Sequence, residues 1–186
     1  MRIIKLKELE KFKAEIKKDL KDKIFIYPTD TIYGLGCSVE GPVEDLYKIK
    51  KRDKEKPFSV IVPSKDWIYQ NCIVSNLNKS FIEQLLPGPY TIVLKYKTVP
   101  KCLENREKTI GVRVFNSPFT KLLKEENLLF ITTSVNISEE QHVKSIQEIP
   151  EEIKQSVTWA IDAGELGGKP SRVFDLTSDD IKVLRP

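Results

Sequence analysis

The apolar positions of this chain fall into short runs whose period changes from one segment to the next. Leu6, Leu9, Phe12, Ile16 and Leu20 recur at helical spacing and predict a first helix with one apolar stripe against a core. Ile24 to Tyr27 is a compact apolar run, predicted as a buried strand. Pro28 has no N–H to donate, so it is expected to end that strand's pairing. Thr29, Asp30, Thr31 and Tyr33 then read as a polar turn. Gly34 and Gly36 are expected to allow unusual dihedrals there, or close approach to a ligand.

Pro42 suits the first position of a second helix carrying Val43, Leu46, Tyr47 and Ile49 inward. Phe58 to Val62 predicts a strand, and Pro63-Ser64 opens a short helix through Trp67. Leu77 to Leu86 predicts a helix stopped by Pro87-Gly88-Pro89, and Thr91 to Tyr96 a strand. Val99 to Lys108 reads as a loop and Thr109 to Phe115 as a strand, followed by a helix capped by Ser117 with Pro118 in its first turn. Leu128 to Thr132 predicts a buried strand. Ser145 and Glu148 have capping-box spacing for a last helix, and Val157 to Ile161, Arg172 to Leu176 and Ile181 to Leu184 close as strands. No repeat or linker divides the chain, so the expectation is a single α/β domain, residues 1–186, with a mixed, twisted sheet.

At 186 residues with 40% hydrophobic content the chain can bury a sizeable core. No apolar run approaches the ~20 residues that span a bilayer. The charged, amphipathic N-terminus lacks the apolar region of a secretory signal, so a cytoplasmic location is expected. Three widely spaced cysteines give neither a C-x-x-C pair nor a disulfide framework, and reduced thiols are the plain reading. A single histidine, His142, excludes two-histidine metal motifs, and no G-x-S-x-G elbow accompanies it.

The net charge of +4 is modest, but six of the nine residues from Lys48 to Lys56 are Lys or Arg. Lys50, Arg52 and Lys56 suit phosphate oxygens, although a merely solvated loop explains the composition equally simply. Arg113 stands within an apolar strand, as an exposed cation or as a carboxylate or phosphate clamp. Thr132 to Asn136 clusters hydrogen-bonding groups after a strand, the usual composition of turns and caps. AGELGGKPS at 163–171 fails the phosphate-loop spacing, and Pro170 would spoil the helix such a loop requires. The basic and hydroxyl clusters all adjoin predicted strand ends, which points to one common cleft.

YPTDTIYGLG, KIKKRDKEKPFSVIV, LLPGPYTIVL, GVRV, TTSVNIS, PSRVFDL and VLRP follow in order from residue 27 to 186. This ordered set resembles the YrdC/TsaC family of threonylcarbamoyl-AMP synthases. The resemblance implies a YrdC-like twisted mixed sheet flanked by helices, with an open, positively charged cleft. It implies condensation of L-threonine, bicarbonate or CO2, and ATP to threonylcarbamoyl-AMP and pyrophosphate. The product would serve N6-threonylcarbamoyladenosine formation in tRNA by a downstream transferase complex. Mg²⁺ would be held mainly through the ATP phosphates, with no protein ligand assigned.

By motif position, the resemblance makes Lys50 and Arg52 catalytic. It assigns Arg52, Lys56, Thr109, Ser134, Asn136 and Arg185 to ATP. Thr31, Tyr33, Arg113, Thr132 and Ser171 fall to threonine. The chain departs from the family's S-A-N-x-S-G at Val135 and Glu139, which changes the expected nucleotide loop, and Arg172 replaces the second residue of the usual Ser-Thr pair. Two alternatives stand beside the enzyme. One is a double-stranded RNA or tRNA-binding module acting in RNA or ribosome maturation, with strongly salt-dependent affinity. The other is the related domain of hydrogenase-maturation carbamoyltransferases, whose acylphosphatase and zinc-finger segments are not found here.

Overall fold

The computed structural model describes residues 1–137 and 140–186, so the expected departure at Glu139 lies outside the described residues. In chain order the elements are β1 (Arg2–Lys5), α1 (Lys13–Asp19), β2 (Phe25–Pro28), β3 (Tyr33–Ser38) and α2 (Val43–Lys50). Next come β4 (Ser59–Ile61), α3 (Lys65–Asn71), α4 (Asn76–Leu85), β5 (Tyr90–Lys95), β6 (Thr109–Arg113) and α5 (Pro118–Glu125). The last are β7 (Phe130–Ser134), α6 (Glu151–Ser156), β8 (Trp159–Asp162), β9 (Arg172–Asp175) and β10 (Lys182–Arg185). All these strands join one mixed sheet in the order β1-β8-β2-β3-β7-β4-β6-β5-β9-β10. Among the described residues, no helix is long and apolar enough to cross a membrane.

Strand register explains where the helices go. Paired residues point to the same side of a sheet, and successive residues to opposite sides. Ile131, Val60, Val112, Ile92 and Phe174 are joined by direct pairing and all face one side. On that side α2 and α6 bury Leu46, Ile49 and Ile153, and α3 and α4 bury Ile68 and Ile82. The opposite side carries Phe25, Tyr27, Phe130, Trp159 and Ile161, covered by Ile16 of α1 and Phe119, Leu122 and Leu123 of α5. Tyr27 stacks on Phe119 with ring centroids 4.3 Å apart. Further along this second side the row Gly36–Thr132–Ser59–Gly111–Val93 is polar or small, and there the sheet leaves a cleft.

Several sequence expectations need correction. The first helix is shorter than its stripe: Leu6–Glu8 forms a single 3₁₀ turn, and only Lys13–Asp19 is α-helical. Ahead of it, Arg2–Lys5 is a strand paired in parallel with β8, a non-local ladder with no local periodicity to announce it. Pro28 does end the pairing, as the last residue of β2, where it still stands opposite Tyr33. Gly34 and Gly36 sit inside β3 rather than in a turn. A Cβ at Gly36 would lie 1.9 Å from the Ile131 carbonyl oxygen, and one at Gly34 would lie 2.8 Å from the Tyr27 ring. The need for glycine there is close packing between strands, not ligand approach. Pro42 is the N-cap of α2 rather than its first residue. Ser145 and Glu148 do contact one another at 3.2 Å, but they start and end the 3₁₀ turn Ile146–Glu148, with Ser145 its N-cap, and α6 starts after Pro150.

Candidate functional site

The cleft holds about 320 Å³ and is floored by three strands of one face. Ser59, Gly111 and Val93 pair across β4, β6 and β5. Arg113 and Thr91 lie two residues further along in one direction and Ser134 two residues from Thr132 in the other, all on the same side, and Val173 pairs with Thr91. Gly111 gives the floor its depth, because a Cβ there would stand 3.1 Å from Ser59 Oγ and project into the cleft. The walls come from Thr31 and Ile32, from Arg52, Pro57 and Phe58 after α2, and from Pro170, Ser171 and Arg185.

One wall is a tight turn. Thr29 Oγ1 accepts from the amides of Thr31 at 3.1 Å and Ile32 at 3.2 Å, which fixes the Thr31 side chain at the cleft. Arg113 Nη2 donates to Asp30 Oδ1 at 2.6 Å and to Thr31 Oγ1 at 3.4 Å. The Arg113 guanidinium also lies 4.8 Å over the Phe115 ring, while its Nε is buried with no hydrogen-bond partner among the described residues. Burial lowers the Arg113 pKa from its ordinary value, and Asp30 opposes that shift. The Asp30 carboxyl is itself raised, burial outweighing the attraction of Arg113. A guanidinium desolvated to this degree and only partly paired is prepared to receive an anionic group.

The facing wall is a hydroxyl–guanidinium chain. Thr91 Oγ1 and Ser171 Oγ are 2.7 Å apart. Arg185 donates through Nη2 to Ser171 Oγ at 3.0 Å and through Nε to the Ser171 carbonyl at 2.8 Å. Burial, followed by repulsion from Arg113, lowers the Arg185 pKa. Thr132 is buried and accepts from the Tyr27 hydroxyl at 2.7 Å. Arg52 is drawn back onto its own loop, donating to the carbonyls of Lys56 at 2.7 Å and Pro57 at 3.1 Å, with Phe58 5.1 Å beneath it.

Eight of the residues named from the sequence therefore line one cleft: Thr31, Arg52, Thr109, Arg113, Thr132, Ser134, Ser171 and Arg185. Four do not. Lys56 is exposed outside it. Tyr33 is fully buried; its hydroxyl donates to the Gly164 carbonyl at 2.7 Å and accepts from the Ala163 amide at 2.9 Å. It ties down the 163–171 segment, which crosses Thr31 so closely that a Cβ at Gly168 would meet the Thr31 carbonyl at 2.1 Å. Lys50 is 2% exposed, and its ammonium donates to the carbonyl of Ser134 at 2.9 Å and to Asn136 Oδ1 at 2.7 Å. Asn136 is buried beside it, donating to the Glu140 carbonyl at 2.6 Å.

Sequence reasoning missed Ser59, Thr91, Gly111, Val93 and Val173. Thr91 did leave a signal: a polar residue at an inward position of the otherwise apolar YTIVL run. A neighbouring cavity of about 450 Å³ shares Pro57, Phe58 and Thr109 with the cleft but gathers none of the other candidates.

The Sua5/YciO/YrdC family model, described as telomere recombination, matches residues 19–186. The chain belongs to this family. A Sua5/YciO/YrdC relative in Methanocaldococcus jannaschii, named a putative threonylcarbamoyl-AMP synthase, is 36% identical over 183 residues, covering 96% of this chain and 85% of that protein. The crystal structure of Escherichia coli YciO superposes with a TM-score of 0.83 at 28% identity, covering 99% of this chain and 94% of that one. A variant of Sua5 from P. abyssi superposes with a TM-score of 0.88 at 26% identity. All of this chain matches there, but it spans only 57% of the Sua5 chain. The family's mixed α/β sheet flanked by helices, expected from the ordered motifs, is borne out by these structures.

Proposed function

We propose that this protein is an L-threonylcarbamoyladenylate synthase acting in the cytoplasm. The observation that carries the reading is the meeting, in one cleft, of a partly paired buried arginine, Arg113, with the hydroxyls of Thr31, Thr91 and Ser171 and the cations Arg52 and Arg185. The synthase names of relatives support it.

Threonine's carboxylate would meet Arg113, its hydroxyl and ammonium side facing Thr31, Thr132 and Ser171. The triphosphate would lie toward Arg52, Thr109 and Ser134, with Lys56 free to swing in from the exposed loop and Arg185 between the two substrates. The threonine amine, in its neutral form, adds to CO2 with release of a proton, or to bicarbonate with loss of water, to give a carbamate. A carbamate oxygen then attacks the α-phosphorus, the bond to the bridging oxygen breaks, and pyrophosphate leaves. Such a reaction needs alignment and charge neutralisation rather than a side-chain nucleophile, so a chain with one histidine suffices. No cluster of three or more His, Cys, Asp or Glu side chains that could hold a metal exists among the described residues, and the Asp30 carboxylate is engaged by Arg113. That fits a Mg²⁺ carried by the nucleotide's own phosphates, which it would partly neutralise. The adenylate would pass to a tRNA-modifying transferase complex.

The test incubates purified protein with ATP, Mg²⁺, L-threonine and labelled bicarbonate and looks for the labelled adenylate by mass spectrometry. Product is expected from the wild type and is expected to fall at least ~100-fold in Arg113→Met, because a charge-assisted pair at a reacting substrate is removed. Absence of product from folded wild type, together with salt-sensitive binding to tRNA or double-stranded RNA, would overturn the enzyme in favour of an RNA module.

A further inference from the structure

Lys50 carries a charge into a place where it cannot serve as an ordinary phosphate ligand. Its side chain leaves the last turn of α2, is 2% exposed, and is not part of the cleft lining. Its ammonium donates to the Ser134 carbonyl, the Asn136 carbonyl and Asn136 Oδ1. An ammonium has three donors, and these three acceptors all belong to one short turn. The same Asn136 Oδ1 also accepts from Ser134 Oγ at 2.6 Å. Ser134 lines the cleft, whereas Asn136 does not. A continuous path therefore runs from the buried charge, through an amide oxygen, to the hydroxyl of a residue that lines the cleft.

We propose that Lys50 is a positioning residue that acts through Asn136 to aim the Ser134 hydroxyl and its neighbouring backbone into the cleft, and that it does not bind the nucleotide phosphates itself. Strand β7 ends at Ser134; beyond it Val135 keeps backbone bonds to Tyr33 and Val143. The buried Lys50 ammonium adds a further constraint to this turn by binding the carbonyls of Ser134 and Asn136. Arg52 disfavours the charge and Glu140 favours it; with burial the dominant influence, the amine's pKa is pushed down to about 8, and it stays protonated at neutral pH. Replacing the charge by a side chain of similar length would remove the Lys50 donor from the Asn136 carbonyl and Oδ1, leave the Ser134 carbonyl with the Asn136 amide alone, and loosen the turn.

The assignment rests on the adenylate-synthase reading for its kinetic arm only. The first arm is hydrogen exchange on ligand-free Lys50→Met. Peptides covering 133–137 should exchange at least ~10-fold faster than in the wild type, while core amides of β4 and β6 keep their protection. The second arm is kinetic. The KM for ATP should rise on the order of 10-fold with kcat within ~3-fold, since no contact to the reacting atoms is lost. In a double-mutant cycle Lys50→Met and Ser134→Ala should be non-additive, because one acts through the other. Unchanged exchange together with additive losses would mean that Lys50 touches the phosphates directly, and the proposal falls. If Lys50→Met does not fold, Asn136→Ala breaks the same path while leaving Lys50 its backbone acceptors. A several-fold rise in the KM for ATP at retained kcat then upholds the proposal, and no change sinks it. If wild type forms no adenylate, the exchange arm alone decides the role of Lys50.

Discussion

Gly111 and Arg113 sit two residues apart on β6 and face the same cleft, yet they answer to different physics. Arg113 brings a desolvated charge, and Gly111 brings absence of volume. A side chain at 111 meets Ser59 Oγ at 3.1 Å, a contact that a small rotation of the serine relieves. Gly111→Val should therefore keep the fold, with stability changed by no more than ~1 kcal/mol, since β-branched residues suit strands. The added methyls would occupy the floor. Calorimetric titration should register loss of threonine and ATP binding, against an unchanged circular dichroism spectrum. Intact binding would mean that the ligands do not reach the floor. From the sequence, Arg113 was conspicuous as a cation in an apolar strand, while Gly111 could be named only as part of a motif. A glycine in a strand has several causes, and only register tells which neighbour it spares. Gly36 is the counterexample, required by the Ile131 carbonyl and not by any ligand.

At the scale of elements, β10 is the most separable part of the site. It pairs with β9, each of its four residues is exposed, and Val183 and Leu184 are more than half exposed. It adds almost nothing to the buried core, but it carries Arg185 to the hydroxyl and carbonyl of Ser171. Removing residues 182–186 should lower the melting temperature by only a few degrees, on the order of 1 kcal/mol. The same truncation should abolish adenylate formation, because Ser171 loses its donor and the cleft one of its cations. A truncated protein that retained full activity would show that the strand merely decorates the sheet. Elements of this kind were legible from alternation alone, as Ile181 to Leu184 illustrates. Those that failed were β1 and β3. β1 exists only through parallel pairing with β8, more than 150 residues away. The glycine-bearing β3 looked like a turn because Gly34 and Gly36 interrupt its apolar positions, and because Pro28, tolerated at the end of β2, reads as a break.

Across the whole molecule, the cleft gathers residues from Thr31 to Arg185, so the two proposed substrate regions share one sheet. Periodicity could forecast the strands but not their order. It was the order β7-β4-β6-β5-β9 that put Ser134, Arg113, Thr91 and Ser171 together. Coupling between substrates should follow from Arg185 and Ser171, which link the proposed nucleotide and threonine sides by direct hydrogen bonds. A ligand bound at 100 times its dissociation constant stabilises the native state by about 2.7 kcal/mol, worth roughly 5–10 °C in melting temperature for a chain of this size. Threonine and ATP–Mg²⁺ should each raise the melting temperature by that order when present at such excess. By reciprocity, each should also increase the other's affinity by the same factor. Arg113→Met should lose the threonine shift while keeping most of the nucleotide shift, and Arg185→Met should keep both shifts but reduce the coupling. Thermal scans with each ligand alone and with the pair measure all of these. Equal, independent shifts that survive Arg185→Met would mean that the two regions, though adjacent, do not communicate through Ser171.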